Sequence, residues 1–189
     1  MTQQNQRDLN ILTSMGKRYF GKVDVPNENF RTTDLLNSSN VYWRDPNEKC
    51  YDNAVLMHDV KLYIDEGIVY KHLDKIQIRI AEIIYFYDSL ETVGDKSEKQ
   101  RASQMVKQSH EKQQQVNIII PIGASSFYDI TGTFYGLFKK KSKDRFFPIT
   151  QATILKIYKK TDTWSKREIK LPHRFICINN NAVESINIA

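Results

Sequence analysis

The residue types that carry chemistry are few and scattered in this 189-residue chain. Histidines stand at 58, 72, 110 and 173, and cysteines at 50 and 177. No pair of histidines forms H-x-x-x-H or H-E-x-x-H, and the cysteines lie one per half, whereas zinc needs about four clustered ligands. No metal site is therefore read, and Cys50 and Cys177 are taken as small buried hydrophobes. Gly123-Ala124-Ser125-Ser126 lacks the G-x-S-x-G pattern that exposes a nucleophilic serine. Gly132-Thr133-Phe134-Tyr135-Gly136 lacks the lysine and following helix of a phosphate loop. Carboxylates are plentiful, but no spacing pairs two of them for acid–base work. The sequence assigns no catalytic residue, no cofactor and no metal, and the expectation is a protein that is not an enzyme.

Binding chemistry is more visible. Lys139, Lys140, Lys141, Lys143 and Arg145 place five bases within seven residues, between the aromatic runs Phe134-Tyr135 and Phe146-Phe147. If the flanking segments pair, the bases crown a hairpin tip, where lysines attract phosphate and neighbouring rings stack on bases. Lys156, Lys159, Lys160, Lys166, Arg167 and Lys170 extend that basic surface. The same residues also suit a solvated turn between strands whose edges lysine protects from aggregation. The wider charge distribution points the same way: the chain carries +6 overall, but residues 1–94 carry −3 and residues 95–189 carry +9. Such asymmetry suits a polyanion bound by the second half, or acidic-to-basic contacts between copies.

These groups need elements to hold them, and the pattern is β. Val60-Lys61-Leu62-Tyr63-Ile64 and Ile76-Gln77-Ile78-Arg79-Ile80 alternate with the period of a half-buried strand. Ile83-Ile84-Tyr85-Phe86-Tyr87 is apolar throughout and reads as a strand buried on both faces. Segments 134–138, 152–158 and 174–178 are also strands, and Thr161-Asp162-Thr163 is a turn before a strand over 164–171. One short helix is expected over Phe30-Arg31-Thr32-Thr33-Asp34-Leu35-Leu36-Asn37, with Thr32 or Thr33 as N-cap and Asp34 in the first turn. Leu35 and Leu36 would pack on the strands, and Phe30, Arg31, Asp34 and Asn37 form the candidate structural motif.

Between the β-rich stretches, residues 88–115 hold five acids, five bases and almost no aromatic or β-branched residues. They bury too little to form a core and read as a polar linker, whose second part holds good helix formers. The division is a flexible tail at 1–16, a first small β-barrel at 17–88, the linker at 89–115 and a basic second barrel at 116–189. The halves also repeat in pattern: Leu56-Met57-His58-Asp59-Val60-Lys61-Leu62 matches Pro148-Ile149-Thr150-Gln151-Ala152-Thr153-Ile154. In each half a strand, a short turn and a final strand follow.

Units of this length that close with strand, turn and strand resemble the bacterial Sm-like small β-barrels, the fold of Hfq and its relatives. The stretch 30–37 is also similar to an F-R-x-[ST]-D-x-L-N segment of uncharacterised bacterial small-barrel proteins. The resemblance implies a mainly β fold of two tandem small β-barrels. It also implies exposed strand edges that join copies by main-chain pairing. The expected function is a non-catalytic cytoplasmic adaptor that self-associates or scaffolds a protein assembly with an unidentified protein partner. Nucleic-acid binding through the basic second barrel is the alternative. No apolar run reaches the roughly 20 residues of a membrane-spanning helix, so membrane insertion is not expected. Limited trypsin digestion should cut at Lys96, Lys99, Arg101, Lys107 or Lys112 and leave two protected fragments of similar size, read by mass spectrometry.

Overall fold

The computed structural model describes residues 5–27, 30–37, 53–64, 68–88, 113–135, 145–172 and 174–188. Strands fill most of them: β1 (Asn5–Thr13), β2 (Arg18–Val25), β3 (Ala54–Tyr63), β4 (Val69–Arg79), β5 (Ile83–Asp88), β6 (Gln113–Pro121), β7 (Ser126–Tyr135), β8 (Phe146–Lys160), β9 (Thr163–Ile169), β10 (Phe175–Asn179) and β11 (Ser185–Ile188). The short helix α1 (Thr32–Asn37) connects β2 towards β3. Short 3₁₀ turns at Ile80–Glu82 and Asn180–Ala182 stand between β4 and β5 and between β10 and β11.

Every pairing is antiparallel, and the pairings make one open sheet in the order β11-β6-β7-β8-β10-β5-β1-β2-β3-β4, with β9 also on β8. This overturns the expectation of two closed small barrels joined by a helix-forming linker. The reason lies in β5. It pairs with β1 on one side, Ile11 opposite Phe86, and with β10 on the other, Cys177 opposite Phe86. A strand has two hydrogen-bonding edges, so β5 has none left with which to close the first half onto β4. Residues 89–112 of the expected linker lie outside the described residues, and 113–115 belong to β6.

The segment read as a loose N-terminal tail is instead a central strand. In β1, Leu9 and Ile11 are fully buried, and Arg7 precedes them on the same face. A buried guanidinium needs partners, and Arg7 donates to the Phe30 carbonyl and, at 3.4 Å, to Thr32 Oγ1. Thr32 Oγ1 in turn donates to Asp88 Oδ2 at 2.8 Å.

The central strands are covered on both faces, and each half contributes to the other's core. The first core gathers Leu9, Ile11, Val23, Met57, Val60 and Ile83 under Leu35 and Leu36 of α1, and takes in Phe146 and Cys177 from the second half. The second gathers Ile118, Ile120, Ile130, Ile154, Ile176 and Ile178, and takes in Leu12, Ile84, Tyr85 and Tyr87 from the first. The unbroken apolar run of β5 follows from this, since Ile83 and Phe86 enter the first core and Ile84, Tyr85 and Tyr87 the second.

The halves share landmarks as well as strand order. Gly21 in β2 faces an irregularity in β3 where Asp59 takes a φ of 50°, and Gly132 in β7 faces one in β8 where Gln151 takes a φ of 52°. The Ile80 amide donates to the Asn53 carbonyl and the Asn180 amide to the Arg145 carbonyl, both at 2.8 Å. These landmarks set 56–62 against 148–154. At each crossing, glycine allows backbone to approach backbone. A Cβ on Gly21 would sit 2.7 Å from the His58 carbonyl oxygen, and one on Gly132 would sit 2.8 Å from that of Thr150. Gly21→Ala and Gly132→Ala should each destabilise the fold by about 1–3 kcal/mol through overpacking, read as a lower urea midpoint at unchanged slope.

Candidate functional site: a strand seam and the sheet edges

The seam between the halves is short in main-chain pairing and rich in side-chain bonds. Only Cys177–Phe86 and Ile178–Tyr85 pair directly. Beyond them Asn179, which is buried, donates from Nδ2 to the Ile83 carbonyl at 2.8 Å and accepts from the Asn181 amide at 3.0 Å. It thus continues the ladder with its side chain while capping the 3₁₀ turn. The rings of Phe86 and Phe146 meet edge to face at 5.1 Å, a geometry that aromatic quadrupoles favour.

Helix α1 clasps this seam from above. Asn37 donates from Nδ2 to the Phe146 carbonyl at 3.1 Å and accepts from the Phe146 amide at 2.7 Å. Thr33 Oγ1 lies 3.2 Å from Cys177 Sγ. Arg31 holds Asp34 through two hydrogen bonds of 2.7 and 2.6 Å on the exposed side. A bidentate pair in the first turn suits the positive end of the helix dipole. Phe30 packs against the first core and its carbonyl receives Arg7. Of the four residues of the sequence motif, Arg31 and Asp34 pair with each other, Phe30 packs on the first core, and Asn37 reaches the second half of the chain. That Asn37 binds the backbone at Phe146 had no sequence signal, because the two are brought together only by the β5–β10 pairing.

The basic cluster is placed only in part. Lys139, Lys140, Lys141 and Lys143 lie outside the described residues. Arg145 is half-buried at the start of β8, where its carbonyl accepts the Asn180 amide. By chain order the lysines fall in the β7–β8 connection, the counterpart of the β2–β3 connection that carries α1. The remaining bases divide between the two faces of the β8–β9 hairpin. Lys156 faces Tyr128 and Arg167 across the ladder, while Lys166 faces Ile157, one position along and so on the opposite side.

Among the described residues the main path of the sheet ends in β4 and β11, β9 leaves a further edge beside β8, and β4 and β11 both carry uncovered apolar side chains. Val69 and Tyr70 are 39% and 65% exposed in β4, and Ile186 and Ile188 are 37% and 44% exposed in β11. Among the described residues no group of three or more His, Cys, Asp or Glu side chains gathers as metal ligands, and no helix is long and apolar enough to cross a membrane. Comparisons with protein-family models, with curated proteins and with solved structures find no match to this chain. What the chain does is therefore argued from its seam, its edges and its charges.

Cys177 reports on the seam. It is fully buried, and burial pushes its thiol up from 9.0 to about 12, opposed by the Thr33 hydrogen bond. The folded chain keeps a proton that the unfolded chain releases above about pH 9. This contribution to stability is therefore complete below pH 9 and is lost as pH rises towards about 12. Urea midpoints should fall across that window, and Cys177→Ala should flatten the fall. Tyr19, also raised by burial, supplies the residual slope.

Proposed function

We propose that this protein is a non-catalytic assembly component whose copies join edge to edge, β11 of one against β4 of the next. The observation that carries this is the internal seam. Strand β5 follows a 3₁₀ turn and closes the first half; β10 precedes the corresponding turn of the second half; and the two pair. The strands that end the main path of the sheet are the other two members of that set: β4 precedes the first turn and β11 follows the second. Setting Ile80–Glu82 against Asn180–Ala182 makes Gln77 the counterpart of Cys177 and Ile186 the counterpart of Phe86. The same register between copies puts Gln77 of one copy opposite Ile186 of the next. It would set Ile186 and Ile188 of β11 against Gln77 and Lys75 of β4, covering the exposed apolar side chains of β11, and satisfy main-chain groups that a lone sheet leaves to water.

The inter-copy seam is the weaker of the two. Arg79 stands where Asn179 bridges the internal seam, and Gln77 stands where Cys177 is buried. Assembly is accordingly concentration-dependent, and it would present many equivalent surfaces to a protein partner. A buried free thiol at Cys177 suits a reducing compartment, and the cytoplasm is the proposed location.

Light scattering after gel filtration should show species larger than one chain that dissociate on dilution. Mixing a Gln77→Cys chain with an Ile186→Cys chain under mild oxidation should give a mixed disulfide. Ile186→Lys with Ile188→Lys should return the protein to a single-chain mass with its fold retained by circular dichroism. A wild type that stays monomeric up to about 1 mM, where even an association of millimolar Kd shows, would overturn the proposal. A monomer that co-purifies with nucleic acid, seen in the absorbance ratio at 260 and 280 nm, would favour the basic second half as the functional surface.

A further inference from the structure

We infer that the fold carries a phosphate-binding cleft between its two wings, formed by Arg18, Lys156 and Arg167 with Tyr63, Tyr85 and Tyr128. Two cross-strand rows build it. In the first half Tyr63 on β3, Arg18 on β2, Leu12 on β1 and Tyr85 on β5 stand opposite one another in register. In the second half Tyr128 on β7, Lys156 on β8 and Arg167 on β9 do the same. The two rows line one cleft, with Gly16 and Ile169 completing its wall. The rings of Tyr85 and Tyr128 meet at 5.9 Å, edge to face, and so join the rows.

Cations from both halves of the chain share this cleft. Like charges directly opposite on neighbouring strands destabilise a sheet, yet Lys156 faces Arg167. A third cation, Arg18, is brought to the same space from the other half of the chain. No carboxylate is among the residues that line it. The Arg18 guanidinium is held 4.6 Å above the Tyr63 ring, a cation–π seat that fixes its orientation. Its Nε is buried with no hydrogen-bond partner among the described residues. A buried donor left unmade costs free energy, and an anion in the cleft would supply the acceptor. All three cations are half-buried, so their attraction is screened less than that of surface lysines.

Size narrows the ligand. The cleft volume is about 30 Å³, room for about two water-sized groups by the same measure. That admits two oxygens of a phosphate group and excludes an enclosed nucleotide or cofactor. The ligand proposed is a phosphate ester that inserts two oxygens of its phosphate between the three cations and leaves the remainder outside. The mono- and diester forms share this chemistry. Nothing in the cleft depends on how copies of the chain join.

The test uses the full chain and three probes: orthophosphate and uridine 5′-monophosphate followed by ³¹P line broadening, and a short labelled single-stranded RNA followed by anisotropy. Orthophosphate and the monophosphate should both bind, and each should displace the other. RNA that binds about tenfold or more tighter than the monophosphate identifies a polymer as the source, and RNA that binds no tighter identifies a small ester. Lys156→Gln and Arg18→Gln should each weaken the monophosphate about tenfold, the scale of one charge-assisted hydrogen bond. Lys159→Gln with Lys166→Gln, on the other face of the same strands, should change it less than about twofold. Thermal melts check folding. If Arg18→Gln melts early, Lys156→Gln and the conservative Arg18→Lys decide the matter. Failure of both small probes to broaden at millimolar concentration overturns the site. So does a loss from the Lys159 and Lys166 pair equal to that from Lys156, which would mean diffuse charge.

Discussion

Strand β5 is hydrogen-bonded on both edges and buried on both faces, and the placement of nearly every other element answers to that. Its bond to β10 takes the edge that would have closed the first half, so the sheet runs on instead of curling shut. Its side chains are divided between two cores, so neither half reaches its burial without the other. The polar groups around it are matched to the same demand. Asn179 extends the ladder where main-chain pairing stops, and Asn37 fixes the start of β8. A short main-chain seam is thereby held by side chains drawn from both halves, a network in which each member is satisfied by the others.

The same arrangement gives the short helix its purpose. With six residues, α1 is too short to be stable on its own. It is held by Leu35 and Leu36 below and by Arg7 and Asp88 reaching Thr32 from two strands. Its far end is fixed to the opposite half through Asn37. What reads in the sequence as a cap and a terminator is a clasp across the junction.

Legibility followed the range of the physics involved. Ile76–Ile80 and the run from Ile83 to Tyr87 were visible as strands because period-two burial is a local property. The repeat of 56–62 in 148–154 was visible for the same reason, and Asp59 and Gln151 now mark its bends. Strand β1 was missed because Arg7 fills a buried position, and only partners distant in the chain make that tolerable. The open sheet was missed because the choice between closing on β4 and pairing with β10 is made by main-chain groups, which are the same in every residue. Arg18, Lys156 and Arg167 illustrate the limit for sites. Each was readable as a base, but their convergence depends on registers across two wings. The basic run at 139–143 was the loudest signal, and it lies outside the described residues.

Synthesis runs from the N-terminus, and β5 is complete at Asp88 whereas β10 ends at Asn179. At about 5–20 residues per second, the ribosome needs several seconds to cover that interval. Throughout it, Ile83-Ile84-Tyr85-Phe86-Tyr87 has one unsatisfied edge and one uncovered face. The run is uncharged, rich in β-branched and aromatic residues and free of proline, the composition that pairs readily with copies of itself. On a polysome such copies are close neighbours. The feature that welds the finished molecule into one sheet thus leaves the half-made one with an open edge that a neighbouring nascent chain can match.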